Sequence, residues 1–214
     1  MRSRSIPLIA APFLVALLLG GCAVSAPTSP GDVDDVETEE SGAPETPELV
    51  EGEPAPPGTR VGFDVYLTYT FLTTDDEEAL LSARLDSIEP ATAEEMSVLV
   101  ENFGDDIDGY DIYMLRMTGK KVSGAPVVYN ADYAFFDVVD SAGERIQTVT
   151  LIGWDGCQNE SFSQEYDDGA ELAQCYMGAV RSGDAPPAGM AYTGGYEDGN
   201  PYDYLDGKPL LFIP

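Results

Sequence analysis

Four aspartates lie close together around a glycine near the middle of the chain. They are Asp105, Asp106, Asp108 and Asp111, and the glycine is Gly109. Carboxylates clustered on a turn are the ligands that a hard cation such as Ca²⁺ requires, and Ca²⁺ takes about six to eight oxygen atoms. The spacing does not match an EF-hand loop. The segment is therefore either a Ca²⁺ site of another kind or a solvated acidic loop, and the acidic loop is the simpler interpretation.

Tyrosines are concentrated near the C-terminus, between residues 192 and 206, where they alternate with acidic residues and glycines. They are Tyr192, Tyr196, Tyr202 and Tyr204. Tyrosine gives a large contact area at a low cost in conformational entropy, and loops at the end of a β-sandwich commonly carry binding sites. An aromatic and acidic surface suits a cationic ligand or a basic peptide. The segment is either a binding loop or a long loop whose tyrosines pack back onto the domain, and packing is the simpler interpretation.

The charge balance and the residue types argue against several classes of function. The chain has 39 Asp and Glu, 10 Lys and Arg and no His, which gives a net charge of −29. A field of this sign repels nucleic acid, and the lack of histidine excludes His-dependent triads and zinc sites. Acidic pairs within 75–78 and 165–168 serve glycoside hydrolysis only at a defined separation. Because the sequence has no nucleophile elbow, phosphate loop or dinucleotide motif, we expect no enzymatic activity and no cofactor.

The first 22 residues have the pattern of a lipoprotein export signal. Arg2 and Arg4 precede an apolar run over residues 6–19, which is too short to span a bilayer as a helix. The motif LGGC, which ends at Cys22, resembles the lipobox of bacterial lipoproteins. The resemblance implies removal of residues 1–21 and lipidation of Cys22, with palmitate among the acyl chains that would hold it stably in a membrane. The alternative is an ordinary secretory peptide that ends at an accidental cysteine.

Lipidation of Cys22 leaves two cysteines in an exported and therefore oxidising environment. We expect Cys157 and Cys175 to form one disulfide. A redox function is the alternative, but the pair has no Cys-x-x-Cys spacing and no neighbouring Lys or His to lower a thiol pKa.

Residues 23–58 have the composition of a disordered linker. They include ten acidic residues, seven prolines and no Lys or Arg, and such a segment cannot bury enough apolar surface to fold. We expect an extended tether, with a binding tail for a basic protein or a cation as the alternative. The predicted organisation is thus a signal peptide (1–21), a lipidated cysteine and linker (22–58) and one folded domain (59–214).

Apolar residues alternate in short segments through the folded part, which predicts strands. We expect strands at 61–71, 81–88, 110–117, 131–139, 145–152, 172–180, 189–192 and 209–213. The segment 110–117 is apolar on both faces, as in a central strand, and the turn at 140–143 predicts a hairpin between its two neighbours. Gly, Pro and Asp separate the strands, and no βαβ rhythm is present. The prediction is an antiparallel β-sandwich.

One short helix is expected between the second and third strands. Thr92 and Glu95 fit a capping box. Apolar residues follow at helical spacing, and we expect them to pack in the core; they are Met96, Leu99, Val100 and Phe103.

Residues 59–214 as a whole resemble the immunoglobulin-like domains of unknown function on actinobacterial lipoproteins, whose architecture is similar to that of the small secreted immunoprotective antigen of mycobacteria. The resemblance is carried by the strand start at 109–113, the hairpin at 140–143, and Cys157 followed by Phe162, Gly169 and Cys175. It implies an immunoglobulin-like sandwich with one disulfide and no established catalytic residues. The helix and the tyrosine-rich segment depart from the simplest form.

Together these patterns predict a lipid-anchored protein on the extracytoplasmic face of the cell membrane. The leading hypothesis is a non-enzymatic binding or adaptor domain, with an envelope protein or a small ligand as its partner. The alternative is a protein that captures a divalent cation or small ligand for a transporter or sensor.

Overall fold

The strands of the described chain form two sheets and are its main regular secondary structure. The computed structural model describes residues 49–50, 52–195 and 199–214. Cys22, Tyr196 and the linker up to residue 48 lie outside them. The strands are β1 (Arg60–Val61), β2 (Leu67–Leu72), β3 (Glu78–Pro90), β4 (Tyr110–Gly124), β5 (Phe136–Val139), β6 (Gln147–Val149), β7 (Leu172–Arg181), β8 (Gly189–Tyr192) and β9 (Leu210–Phe212).

The two sheets differ in size and in strand direction. One has four strands in the order β1-β9-β8-β5, and the other has five in the order β2-β3-β4-β7-β6. All neighbours pair antiparallel except β1 and β9, which run parallel. The central place of β4 confirms the prediction for 110–117.

A hydrophobic core lies between the two sheets. In β2, Leu67, Tyr69 and Phe71 are buried and alternate with half-buried neighbours, as a strand with one covered face requires. They join residues of both sheets in one cluster, for example Leu115 and Phe212. Burying one such side chain stabilises a fold by roughly 1.5–3 kcal/mol. The prediction of a mostly β domain is confirmed, and its two packed sheets are consistent with a β-sandwich.

The predicted helix is present as α1 (Ala93–Phe103) and is fixed at its start by the capping box. The Thr92 hydroxyl accepts the Glu95 amide at 3.2 Å, and the Thr92 amide donates to the Glu95 carboxylate at 2.7 Å. Leu99 is fully buried in a second apolar cluster with Ile112 and Met177. Val100, in contrast, is half exposed, so the apolar stripe is only partly covered. A further helix, α2 (Gln164–Asp167), has one turn.

The predicted strand over 61–71 is wrong as a single element. Residues 60–61 belong to the four-stranded sheet and residues 67–72 to the five-stranded sheet. The chain turns between them at Asp64, which has a φ of 61° and whose amide donates to the Leu85 carbonyl at 3.0 Å. Phe63 and Val65 are consequently more than a third exposed.

The hairpin predicted at 140–143 forms its turn and a short pairing beside it, and its two arms then separate. Val139 and Arg145 pair antiparallel, and the Ile146 amide donates to the Val138 carbonyl at 3.0 Å. The Gly143 amide donates to the Asp140 carbonyl at 3.0 Å, and Gly143 has a φ of 86°, which favours glycine. Beyond the turn, β5 pairs with β8 and β6 pairs with β7. The turn therefore joins the two sheets.

Residues that precede the predicted boundary at residue 59 pack onto the domain. Ala55 is buried, its amide donates to the Thr68 carbonyl at 2.7 Å, and its carbonyl accepts the Tyr202 hydroxyl at 3.1 Å. The Gly58 amide donates to the Lys208 carbonyl at 3.0 Å. The last residues of the predicted linker thus pack onto the domain.

Candidate functional site

A cleft of about 540 Å³ opens where the edge of the four-stranded sheet faces the edge of the five-stranded sheet. We call it the edge cleft. The turn at 140–143 connects β5 to β6, and the two strands diverge from it into different sheets. Its walls come from residues 133–134 and 136–137 at β5, 148–153 at β6, 157–159 beside the disulfide, and 175–177 of β7.

Aromatic side chains form the inner part of the edge cleft. Phe136 and Tyr176 are buried with ring centroids 5.9 Å apart, and Tyr133 contributes a ring that is 40% exposed. Concave sites with mainly apolar walls and a few polar groups are typical of ligand binding, and this volume falls in the usual range of about 300–1,000 Å³.

Asp137 is the one residue with a formal charge among those that line the cleft. Its carboxylate is paired with the exposed Arg145 guanidinium at 2.8 Å. Partial burial raises the pKa of Asp137, and Arg145 opposes that rise. A partly desolvated carboxylate gains from an additional cation nearby, so this wall favours a cationic group.

The disulfide and one asparagine hold the far wall in place. Cys157 and Cys175 are bonded, which confirms the predicted pairing. The Asn159 side chain donates to the Cys175 carbonyl and accepts the Cys175 amide, both at 2.8 Å. β6 pairs with β7 only at residues 177–179. At Cys175, the Asn159 side chain supplies the two hydrogen bonds that a neighbouring strand would otherwise make.

The tyrosine-rich segment mainly packs onto the domain. Tyr192 lies in β8 and is buried, and its ring packs 3.9 Å from that of Tyr69. Tyr202 is also buried. Tyr204 is half-buried with Arg145 over its ring at 4.3 Å. The burial of Tyr192 and Tyr202 agrees with the interpretation that these tyrosines pack onto the domain, and Tyr196 lies outside the described residues.

The four aspartates considered as either a Ca²⁺ site or a solvated acidic loop are exposed in the short turn after α1 and at the start of β4. The carboxylate of Asp111 accepts the Ser182 hydroxyl at 2.9 Å. Within residues 49–50, 52–195 and 199–214, no group of three or more acidic, His or Cys side chains could hold a metal ion. The structure therefore does not bring Asp105, Asp106, Asp108 and Asp111 together as a site.

Asp167, in the acidic segment 165–168, accepts two hydrogen bonds from neighbouring elements. The Asp167 carboxylate accepts the Lys121 ammonium at 2.6 Å and the Val127 amide at 2.8 Å. The hydrogen bond from Lys121, and then that from Val127, lowers the pKa of Asp167. Asp167 thus ties α2 to β4.

A buried polar network between the sheets has no counterpart in the sequence predictions. Asp132 is only 1% exposed. Its carboxylate accepts the Tyr69 hydroxyl at 2.5 Å and the Gln174 amide at 2.6 Å. The Tyr176 hydroxyl donates to Gln174 at 3.3 Å, which links the network to a ring of the edge cleft.

The residues of the edge cleft carry only a weak sequence signal. Tyr133 and Asp137 fall inside a predicted strand, and no motif marks them. The strongest signal is the absence of charge over residues 146–152, in a chain with 23% charged residues.

Comparison with known proteins assigns no function to this site. No family model, curated protein or solved structure matches it. Among the residues that the structure describes, no helix has both the length and the apolar character needed to cross a membrane.

Proposed function

We propose that this protein is a lipid-anchored extracytoplasmic lipoprotein whose β-sandwich is a non-enzymatic binding module. The observation that carries the binding proposal is the edge cleft, with its aromatic walls and single charged residue, Asp137. The disulfide and Asn159 hold one wall and the β-sheets hold the others, so the cleft is preorganised, which reduces the entropy lost on binding.

The immunoglobulin-like identity belongs to the same proposal. The two-sheet architecture and the Cys157–Cys175 disulfide support it. The order β2-β3-β4 within one sheet is a simple meander, whereas the corresponding sheet of immunoglobulin constant domains has the order ABED. The likeness is therefore one of architecture, with a different connection of strands.

Capture of a small ligand for a transporter or sensor is the second candidate. The cleft volume, which suits a drug-sized molecule, favours it. Capture of a divalent cation has no comparable geometric support in the described part of the chain.

Photocrosslinking from the rim of the cleft tests the binding proposal. A photoreactive amino acid at position 152, where Ile152 is 94% exposed, would be compared with one at position 205, where Leu205 is 92% exposed and outside the cleft. We expect a defined adduct in cells from position 152 only. Tyr133→Ala should reduce it, whereas Tyr129→Ala, which removes an exposed ring outside the cleft, should not.

Native mass spectrometry of protein extracted from its own membranes separates the two candidates. A small bound mass that is lost in Tyr133→Ala would establish ligand capture, and a protein adduct at position 152 would establish the adaptor function. If neither is found, the edge cleft is not a binding site and the proposal is wrong.

Membrane fractionation tests the anchor independently of the cleft. We expect Cys22→Ala to move the protein from the membrane fraction to the soluble extracytoplasmic fraction, because the acyl chains supply the membrane affinity. Retention of the variant in the membrane fraction would contradict lipidation at Cys22.

A further inference from the structure

The outer edge of the five-stranded sheet is open at β6. Along an antiparallel edge strand, the backbone groups that do not bond to the neighbouring strand point away from the sheet. β6 pairs with β7 on one side. No described residue donates to or accepts from the backbone groups of 147–149 that face away from β7.

β6 is short, with three residues, but its side chains lack the charges and prolines that commonly protect an edge against strand pairing. Natural edge strands commonly carry Lys, Pro or inward-pointing charges. The run IQTVTLI at 146–152 has no charge and no proline. Gln147, Thr148, Thr150 and Ile152 are exposed. An uncharged segment with high β-propensity is a template for an added strand.

The open edge and the edge cleft adjoin each other. Residues 148–153 form one wall of the cleft, so a strand added beside β6 would lie along the opening. Side chains of a strand point alternately to its two faces. One face of the added strand would therefore direct a side chain towards Tyr133, Phe136 and Tyr176.

We propose that β6 accepts an extended, basic segment of a partner protein as an added strand, with one of its side chains in the edge cleft. This inference rests on the binding function proposed above. Charge complementarity selects the partner, because the chain has a net charge of −29 and Asp137 is the charged residue of the cleft lining. The same charge opposes pairing of β6 with a second copy of this chain.

Peptides of defined charge and strand propensity test the inference with the full-length protein. The probe is acetyl-KVKYKVKV-amide. One control replaces its tyrosine with proline, which keeps the charge but weakens strand formation, and another replaces every lysine with glutamate. Binding is followed by the fluorescence of Trp154, which is the only tryptophan of the chain and is close to the cleft residues Gly153 and Cys157. Amide hydrogen exchange over 147–149 reports strand pairing.

We expect the probe to bind and to slow exchange in β6, and both controls to bind much more weakly. Thr148→Lys should weaken binding about fivefold through like-charge repulsion across the new strand pair, whereas Thr148→Glu should not weaken it. Equal binding of the proline control, or unchanged exchange in β6, would show that the peptide binds only through non-specific electrostatic attraction. Either result would overturn the inference.

The outcome separates this inference from the proposed function. If Tyr133-dependent adducts form at position 152 but the probe leaves β6 exchange unchanged, only strand addition is wrong. Reversible dimers in sedimentation experiments that are weakened by Thr148→Lys, which would place like charges on both strands, would show that β6 pairs with a second copy. This result would also contradict a basic partner segment.

Discussion

The buried carboxylate of Asp132 allows a prediction whose size and sign both follow from its contacts. Its two oxygens accept the Tyr69 hydroxyl and the Gln174 amide. Asp132→Ala leaves both donors buried without this acceptor, and each such donor costs about 1–3 kcal/mol. The variant no longer has to desolvate a carboxylate, which offsets part of the loss. We expect a loss of about 3 kcal/mol in the free energy of unfolding, and a smaller loss of about 1 kcal/mol for Asp132→Asn.

A comparison of the native protein with Asp132→Asn at several pH values isolates the effect of the Asp132 charge on stability. Burial raises the pKa of Asp132 above its ordinary value, and the hydrogen bonds from Tyr69 and Gln174 oppose the rise. A raised pKa means that the folded state holds the proton more tightly than the unfolded state does. The resulting stabilisation is present below the unfolded pKa of about 3.9 and is lost as the pH rises through the folded pKa.

Denaturant unfolding of the native protein and Asp132→Asn at pH 4.5, 6 and 8, followed by circular dichroism, measures this effect. The stability of the native protein relative to Asp132→Asn should fall as the pH rises. Asp137, whose pKa is also raised, is present in both proteins and cancels in the difference. A difference that grows with pH would refute the reasoning, because it would mean that the two hydrogen bonds outweigh the cost of burying the charge.

Three further predictions concern single features of the fold. Reduction of the disulfide, which spans 18 positions, should lower the free energy of unfolding by about 3 kcal/mol on the chain-entropy model; a double Cys157→Ala, Cys175→Ala variant should not respond to reductant. Thr92→Ala should cost about 1 kcal/mol through loss of the helix cap, whereas Ser97→Ala on the exposed face of α1 should be nearly neutral; equal losses would argue against the cap. Gly189→Ala should lower the free energy of unfolding by about 3 kcal/mol, because its Cβ would overlap the Phe212 carbonyl oxygen. The control is Gly62→Ala, whose Cβ would meet only ordinary contacts. A well-tolerated Gly189→Ala would show that β8 and β9 can separate locally.

Local signals in the sequence predicted local structure well. The capping box at Thr92 located the start of α1 because both of its hydrogen bonds lie within four residues. The two-sided apolar character of 110–117 placed β4 in the middle of a sheet, since a strand with neighbours and coverings on all sides must be apolar on both faces. The disulfide followed from the number of cysteines and the predicted compartment.

The sequence did not reveal where the chain changes sheets. Both the alternation over 61–71 and the turn at 140–143 are compatible with continuous pairing in one sheet, because a period of two shows which side is apolar but not which strand is the neighbour. The edge cleft depends on the second of these changes. Its residues are distant in sequence and become adjacent only after β5 and β6 separate, so no spacing pattern could predict it.

The parallel pairing of β1 with β9 has a mechanical consequence. The Leu211 amide donates to the Thr59 carbonyl at 2.9 Å, and the Ile213 amide donates to the Val61 carbonyl at 2.8 Å. A force that pulls the amino end of β1 away from the carboxyl end of β9 acts across these hydrogen bonds in shear. The bonds must then break together, whereas in a peeling geometry they would break one after another. The pairing of β1 with β9 should therefore resist a tension applied along this axis.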